Sequence, residues 1–252
     1  MIRAERTNGG AVLHLWLAAP KANVLDQKAL SGIEGALEKE GAAPELKAIV
    51  FEGEGANFSF GASVAEHTKE RAPAMLAQFH GVFRQLAEAA VPTCAIVRGQ
   101  CLGGGLELAS WCTWIVASPD AKFGQPEVKL SVFPPMGSIL LPWRVGGRAA
   151  LDLCVSGRSI DAATALQWGL VSAVADDPSA WWEKFFAENI EGASAVGLRF
   201  SERGARARLA RMLDDELPEL ERIYLAELME THDANEGIAA FLERRPPRFT
   251  HR

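Results

Sequence analysis

Gly99–Glu107 reads GQCLGGGLE, and Phe123–Glu127 reads FGQPE. The first stretch follows an apolar run, Thr93–Arg98 (TCAIVR), and leads into Leu106, Leu108 and Ala109. The pattern is strand, glycine turn, helix, with the helix spanning roughly Gly103–Cys112. Residues without a Cβ let backbone N–H groups approach a ligand closely. At a helix N-terminus those N–H groups are unpaired and the dipole favours an anion, such as the enolate oxygen formed from a thioester carbonyl. Glu107 follows Gly104 by three residues and projects on nearly the same helix face. A carboxylate in a first turn among apolar residues is placed for proton transfer. The alternative is a surface carboxylate that partners the helix dipole, and the flanking leucines argue for an interior helix. Glu127 supplies a second carboxylate, so the two are read as an acid/base pair facing the glycine turn.

Upstream, Ile2–Glu5 and Ala11–Leu17 flank Asn8-Gly9-Gly10, a hairpin signal. Asp26 is placed to N-cap a helix to about Lys39 that Gly41 ends, with Leu30, Ile33 and Leu37 on one stripe. Leu46–Glu52 reads as a buried strand, and Gly53–Ala62 as a glycine-containing loop. Pro73–Ala90 has Met75, Leu76, Phe79, Val82, Phe83 and Leu86 at helical spacing. Downstream, Trp114–Ala117 and Ala121–Gly124 read as short strands, and short helices are expected near Gly137–Leu141 and Arg148–Val155. Asp161 is placed to cap a helix to Trp168, and Leu170–Val174 reads as a strand. From Pro178 the pattern is almost all helical. Strand, helix, strand at this pitch predicts a largely parallel sheet. The expected organisation is an α/β core over residues 1–190 and a helical region over 191–252.

At 252 residues, with 48% hydrophobic and 23% charged residues, the chain has the make-up of a soluble globular enzyme. Its net charge of −6 gives no broad attraction to nucleic acid or to an anionic membrane. No apolar run is long enough to span a bilayer, and the N-terminus lacks the apolar core of a signal peptide. Cys94, Cys101, Cys112 and Cys154 have neither metal-site nor disulfide-scaffold spacing, and the first three lie in apolar stretches, so buried free thiols are expected there and a reducing cytoplasm for the chain. A GxGxxG fingerprint fails because Leu108 stands where its last glycine belongs, and neither a P-loop nor a GxSxG elbow is present. The five histidines are scattered, so no metal site is expected, and His67 and His80 read as surface or helix-flank residues.

GQCLGGGLELA, FGQPE, the upstream FSFGAS and the later GLVSAV resemble the crotonase (enoyl-CoA hydratase/isomerase) superfamily. The resemblance extends over most of the chain, from Pro20 to Arg245. It implies a crotonase-like (ClpP/crotonase) spiral of ββα units with a C-terminal helical trimerisation region, hence a homo-trimer or a dimer of trimers. It implies an acyl-CoA thioester substrate, with no cofactor beyond that coenzyme A, and an oxyanion hole from the backbone N–H groups of Ala62 and Gly104. Members that add water to an activated double bond carry two glutamates at the places of Glu107 and Glu127, so hydration is the expected reaction. Isomerases and hydrolases of the superfamily commonly keep one or neither, and a non-catalytic RNA-binding or scaffold member is the alternative of another class. Coenzyme A contacts are expected from Lys21, Ala22, Ser63 and Val64, and Phe241 resembles a position that reaches the coenzyme A of a neighbouring subunit. Two departures concern the acyl pocket. Gly61-Ala62-Ser63 stands where many hydratases have GAD, and Pro134-Pro135-Met136-Gly137-Ser138 stands where PGxGG is common. With His67 and the Phe133-Pro134-Pro135 loop, these resemble hydratases of alicyclic dienoyl thioesters such as cyclohexa-1,5-diene-1-carbonyl-CoA. Aromatic residues in those loops suit a flat ring.

Overall fold

The computed structural model describes residues 1–19 and 22–252. Strand β1 (Ile2–Thr7) pairs antiparallel with β2 (Val12–Leu17) across the turn at Asn8–Gly10, as the hairpin signal predicts. Helix α1 (Gln27–Glu40) begins where the Ala29 N–H donates to the Asp26 carboxylate at 2.8 Å, a cap worth about 1 kcal/mol. Gly41 closes α1, but in a helical conformation (φ −61°) rather than a left-handed one. Then come β3 (Ala48–Gly53), α2 (Ala72–Ala89) and β4 (Thr93–Val97). All six apolar residues of the predicted α2 stripe are buried.

Two strand–strand–helix units follow, and they build the centre of the molecule. The first is β4, then β5 (Gln100–Leu102), then α3 (Gly104–Trp111). The second is β6 (Trp114–Ala117), then β7 (Lys122–Gly124), then, after a short turn at Pro126–Leu130, α4 (Pro135–Ser156). In each unit the first strand joins a six-stranded sheet and the second joins a three-stranded one. Helix α4 is followed by β8 (Ser159–Asp161), α5 (Ala162–Gln167) and β9 (Ala173–Val174). The large sheet has the order β1-β2-β3-β4-β6-β9 and is parallel apart from the β1–β2 hairpin, while the small sheet has the order β5-β7-β8.

Alternation along the strands sends side chains to two cores. In β3, Ile49 and Phe51 face the main core with α1 and α2, while Ala48 and Val50 face Trp182, Phe186 and Ile190 of α6 (Pro178–Asn189) and its end. The remaining elements are α7 (Ala195–Asp215), α8 (Leu217–Arg222), a wide helical turn at Ile223–Glu227 and α9 (His232–Leu242). Leu209, Leu213 and Leu217 join the main core, and Tyr224, Met229 and Ile238 pack with Met75, Leu76 and Val132 in a third cluster.

The structure corrects several boundaries. The two short helices expected at residues 137–141 and 148–155 are halves of α4, which contains Pro142 and breaks at Gly146 (φ 77°). Only Ala173–Val174 of the strand expected at residues 170–174 is strand, because the Leu170 and Val171 N–H groups donate to Ala165 O in α5, and the Ser172 N–H to Ile115 O is the first bond to β6. Strands β5 and β8 were not anticipated: three residues are too few to show an alternating pattern, and both exist through pairing with β7. All four cysteines are unpaired, with Cys94, Cys101 and Cys112 buried. Among the described residues, no helix is long and apolar enough to cross a membrane.

Candidate active site

The glycine turn lies where β5 of the small sheet hands over to α3. Gly103 takes φ 52°, ψ −129°, a conformation that disfavours any side chain, and a Cβ there would stand 2.7 Å from Glu127 Oε1. Gly104 opens α3, so its N–H has no partner within the helix. Facing it is the loop Ser59–Ser63, held from both sides. The Ser59 N–H donates to Gln100 O (3.0 Å), and the Leu102 N–H donates to Ser59 O (2.9 Å). On the other side, the Leu25 N–H donates to Gly61 O (2.9 Å), and the Ser63 N–H donates to Leu25 O (3.3 Å). The buried Ser59 hydroxyl donates to Asn23 O (2.7 Å) and accepts from the Gly61 N–H (3.0 Å). A Cβ on Gly105 would stand 2.7 Å from Ser59 Cβ, so loop and helix are in direct contact. The Ala62 amide nitrogen is 3.1 Å from the point a Cβ on Gly104 would occupy. Neither the Ala62 nor the Gly104 N–H donates to an acceptor among the described residues. Two free amide donors therefore sit side by side, a geometry suited to a developing oxyanion.

The two glutamates reach the same place. Glu107 is 5% exposed, and the Gly137 N–H in the first turn of α4 donates to its Oε1 at 2.6 Å. Glu127 starts from the turn after β7, and its Oε2 is buried without a partner among the described residues. Burial pushes the Glu107 carboxyl up, against the opposing effect of the Gly137 N–H. Burial, and then the charge of Glu107, push Glu127 up as well. Two carboxyls raised together by burial, one held by the Gly137 N–H and one with its Oε2 unpartnered, suit a pair that shares a proton near neutral pH.

A cavity of about 700 Å³ opens beside this pair. Its wall includes Ala22, Ala62, Ser63, Val64, Gly104, Glu107, Glu127, Phe133, Pro135 and Phe241, which are the residues singled out from sequence, with one exception. That exception, Lys21, lies outside the described residues. Phe241 is 55% exposed and lines the cavity of its own chain.

Several wall residues were missed or misread. His80 was expected at the surface but is fully buried, with Nδ1 2.6 Å from Glu221 Oε1. Its spacing of four from Leu76 and three to Phe83 puts it on the buried stripe of α2, a signal present in the sequence. His67 is half-buried and also lines the cavity, with its Nδ1 2.8 Å from Ser63 O. Burial pushes its imidazole down, opposed by that hydrogen bond. Tyr224, the only tyrosine of the chain, comes from the turn after α8, and nothing in the local sequence placed it here. Gly137 stands in the sequence reading as part of a variant loop and as the start of a short helix, with no role in the site. Its function is to present an N–H to Glu107, and a Cβ there would stand 2.8 Å from Gln125 Nε2.

Comparison with known proteins agrees with this geometry. The family model for enoyl-CoA hydratase/isomerase matches residues 7–252. The chain is 46% identical over 243 residues to the cyclohexa-1,5-dienecarbonyl-CoA hydratase of Thauera aromatica, covering 96% of this chain and 94% of that protein. It is 37% identical over 248 residues to a probable enoyl-CoA hydratase of Rhizobium meliloti, covering 96% of each. Among solved structures, an enoyl-CoA hydratase from Mycobacterium avium subsp. paratuberculosis K-10 superposes with a TM-score of 0.87 at 28% identity, covering 99% of this chain and 98% of that one.

Proposed function

The chain belongs to the enoyl-CoA hydratase/isomerase family, a hydro-lyase with the crotonase fold, and from that premise we propose that it hydrates an alicyclic dienoyl thioester, cyclohexa-1,5-diene-1-carbonyl-CoA. The observation that carries this reading is the likeness to the Thauera aromatica enzyme, together with a buried glutamate pair at the glycine turn. The acyl part of the cavity supports it. Phe79, Phe133, Pro134 and Pro135 supply flat and rigid apolar surface around a volume sufficient for a ring.

In the proposed mechanism the thioester carbonyl accepts from the Ala62 and Gly104 N–H groups. As water attacks, negative charge moves onto that oxygen, where two fixed donors stabilise it by several kcal/mol. Glu107 and Glu127 hold the water between them. Glu107, with the Gly137 N–H favouring its ionised form, takes the water proton. Glu127, with no donor on Oε2 and with the Glu107 charge beside it, is the member held protonated, and it gives its proton to the enolate carbon. The net change is one water added across one double bond; the pair carries one proton before and after, and its passage from Glu107 back to Glu127 resets the site.

Ala22, Ser63, Val64 and Phe241 are the proposed coenzyme A contacts, with Lys21 expected beside them. The helical region 191–252 is the proposed oligomerisation region, and exposed Val196 and Phe200 on α7, with Leu151 and Val155 on α4, support a trimer or a dimer of trimers. Four unpaired cysteines support a cytoplasmic setting. The substrate reading is tested by kcat/KM on a thioester panel. Preference for the cyclic dienoyl thioester is expected, and preference for straight-chain crotonyl-CoA would refute the ring.

A further inference from the structure

The cavity wall holds two further buried polar atoms that the mechanism does not use. His80 is 0% exposed, its Nδ1 faces Glu221, and its Nε2 has no partner among the described residues. Tyr224 is 1% exposed, and its hydroxyl likewise has no partner among them. They come from different elements, α2 and the turn after α8, yet both belong to one wall. Met75, Leu76, Phe79 and Phe133 of that cavity are apolar, and Glu127 and Glu107, whose charges help push the Tyr224 phenol up after burial, make no hydrogen bond to either atom. An unsatisfied buried polar group costs about 1–3 kcal/mol. Two in one ligand cavity are open to a polar group of the ligand.

The chemistry of the two side chains defines that polar group. A carboxylate only accepts, so the Glu221 contact selects the His80 tautomer with its proton on Nδ1, and in that tautomer Nε2 presents a lone pair. Arg84 Nη2 lies 3.9 Å from Glu221 Oε1, so this carboxylate also has a guanidinium beside it. The Tyr224 phenol donates. A group that accepts from Tyr224 and donates to His80 is a hydroxyl. A carbonyl oxygen satisfies Tyr224 alone, and a ring methylene satisfies neither. Position fits the acyl end of the cavity. His80 adjoins Phe79, whose Cζ is 3.2 Å from the point a Cβ on Gly104 would occupy, and the Tyr224 ring centroid is 5.5 Å from that of Phe133.

We propose that His80, oriented by Glu221, and Tyr224 form a subsite for a hydroxyl group already carried on the acyl ring, distinct from the hydroxyl that the glutamate pair installs. The proposal rests on the reading of the substrate as a ring thioester. The enzyme then also takes ring dienoyl thioesters that bear a hydroxyl remote from the thioester, and for those an upstream reaction must deliver the ring with that hydroxyl in place.

Calorimetric binding tests this with cyclohexanecarbonyl-CoA, which has no double bond to hydrate, and its counterparts hydroxylated at each ring carbon in turn. For one hydroxyl position, binding about tenfold tighter than the plain ring is expected. Tyr224→Phe, which keeps the ring volume, and Glu221→Gln, which releases the imidazole, should each remove most of that advantage while leaving plain-ring affinity within about twofold. The subsite is overturned if no hydroxylated isomer binds more tightly, or if both variants weaken plain and hydroxylated rings alike. If the plain ring binds no better than butyryl-CoA, the ring reading of the substrate fails, while a hydroxyl advantage abolished by Tyr224→Phe still supports the subsite.

Discussion

Replacing Glu107 by Gln separates chemistry from architecture. The amide oxygen of Gln can still accept from the Gly137 N–H that now donates to Glu107 Oε1 at 2.6 Å, so the fold has no reason to fail. What disappears is a group that gains and loses a proton. Positioned acid/base catalysis contributes 10²–10⁴-fold, or about 3–5 kcal/mol of barrier, so kcat on the best thioester should fall by that range. Stability should move the other way. Burial raises the Glu107 carboxyl in the folded state. A carboxyl raised on folding contributes stability below its unfolded pKa, and that contribution is lost as pH rises through the folded value. Above neutral pH the ionised, buried Glu107 is therefore a liability, and the variant should gain on the order of 1–3 kcal/mol there, with little difference at pH 4. Stopped-time assays of hydration and urea unfolding at both pH values read the two effects. A variant with activity within tenfold of the parent, or one less stable at high pH, would refute the reasoning.

The same linkage predicts a bell-shaped kcat/KM profile. Its limbs report the glutamate pair and should lie above the usual carboxylate range, because burial raises both groups. In Glu107→Gln the residual activity should titrate at lower pH, since the Glu107 charge no longer raises Glu127. Gly103→Ala places a Cβ at a left-handed φ and 2.7 Å from Glu127 Oε1, so a loss of about 1–3 kcal/mol in stability and at least tenfold in kcat is expected from unfolding and turnover assays. Ser59→Ala leaves the buried Asn23 carbonyl and Gly61 N–H without their shared partner, so about 1–3 kcal/mol of stability should be lost, with kcat falling more than KM rises because Ala62 shifts against Gly104.

What was legible in the sequence was local. Glu127 of FGQPE was tied to the site by the resemblance of its motif, whereas the glycine turn and its glutamate one turn on are fixed by short-range geometry. Asp26 and Asp161 were readable as caps for the same reason. What was not legible depends on chain segments far apart. Strand β5 exists because β7 and Ser59 pair with it. Gly137 matters because α4 begins where its N–H meets a carboxylate thirty residues upstream. His80 lies on a buried stripe, yet its hydrogen bond with Glu221 depends on a helix 141 residues away. Tyr224 comes from a helical region whose pattern says only that it is helical.

Product analysis in water enriched in heavy oxygen tests the central claim most directly. With cyclohexa-1,5-diene-1-carbonyl-CoA, the account predicts an intact coenzyme A thioester whose ring carries one heavy-oxygen hydroxyl, formed by the parent enzyme and not by the Glu107→Gln, Glu127→Gln double variant. Heavy oxygen in a released ring carboxylate with free coenzyme A, or an isomerised thioester with no label, would contradict it.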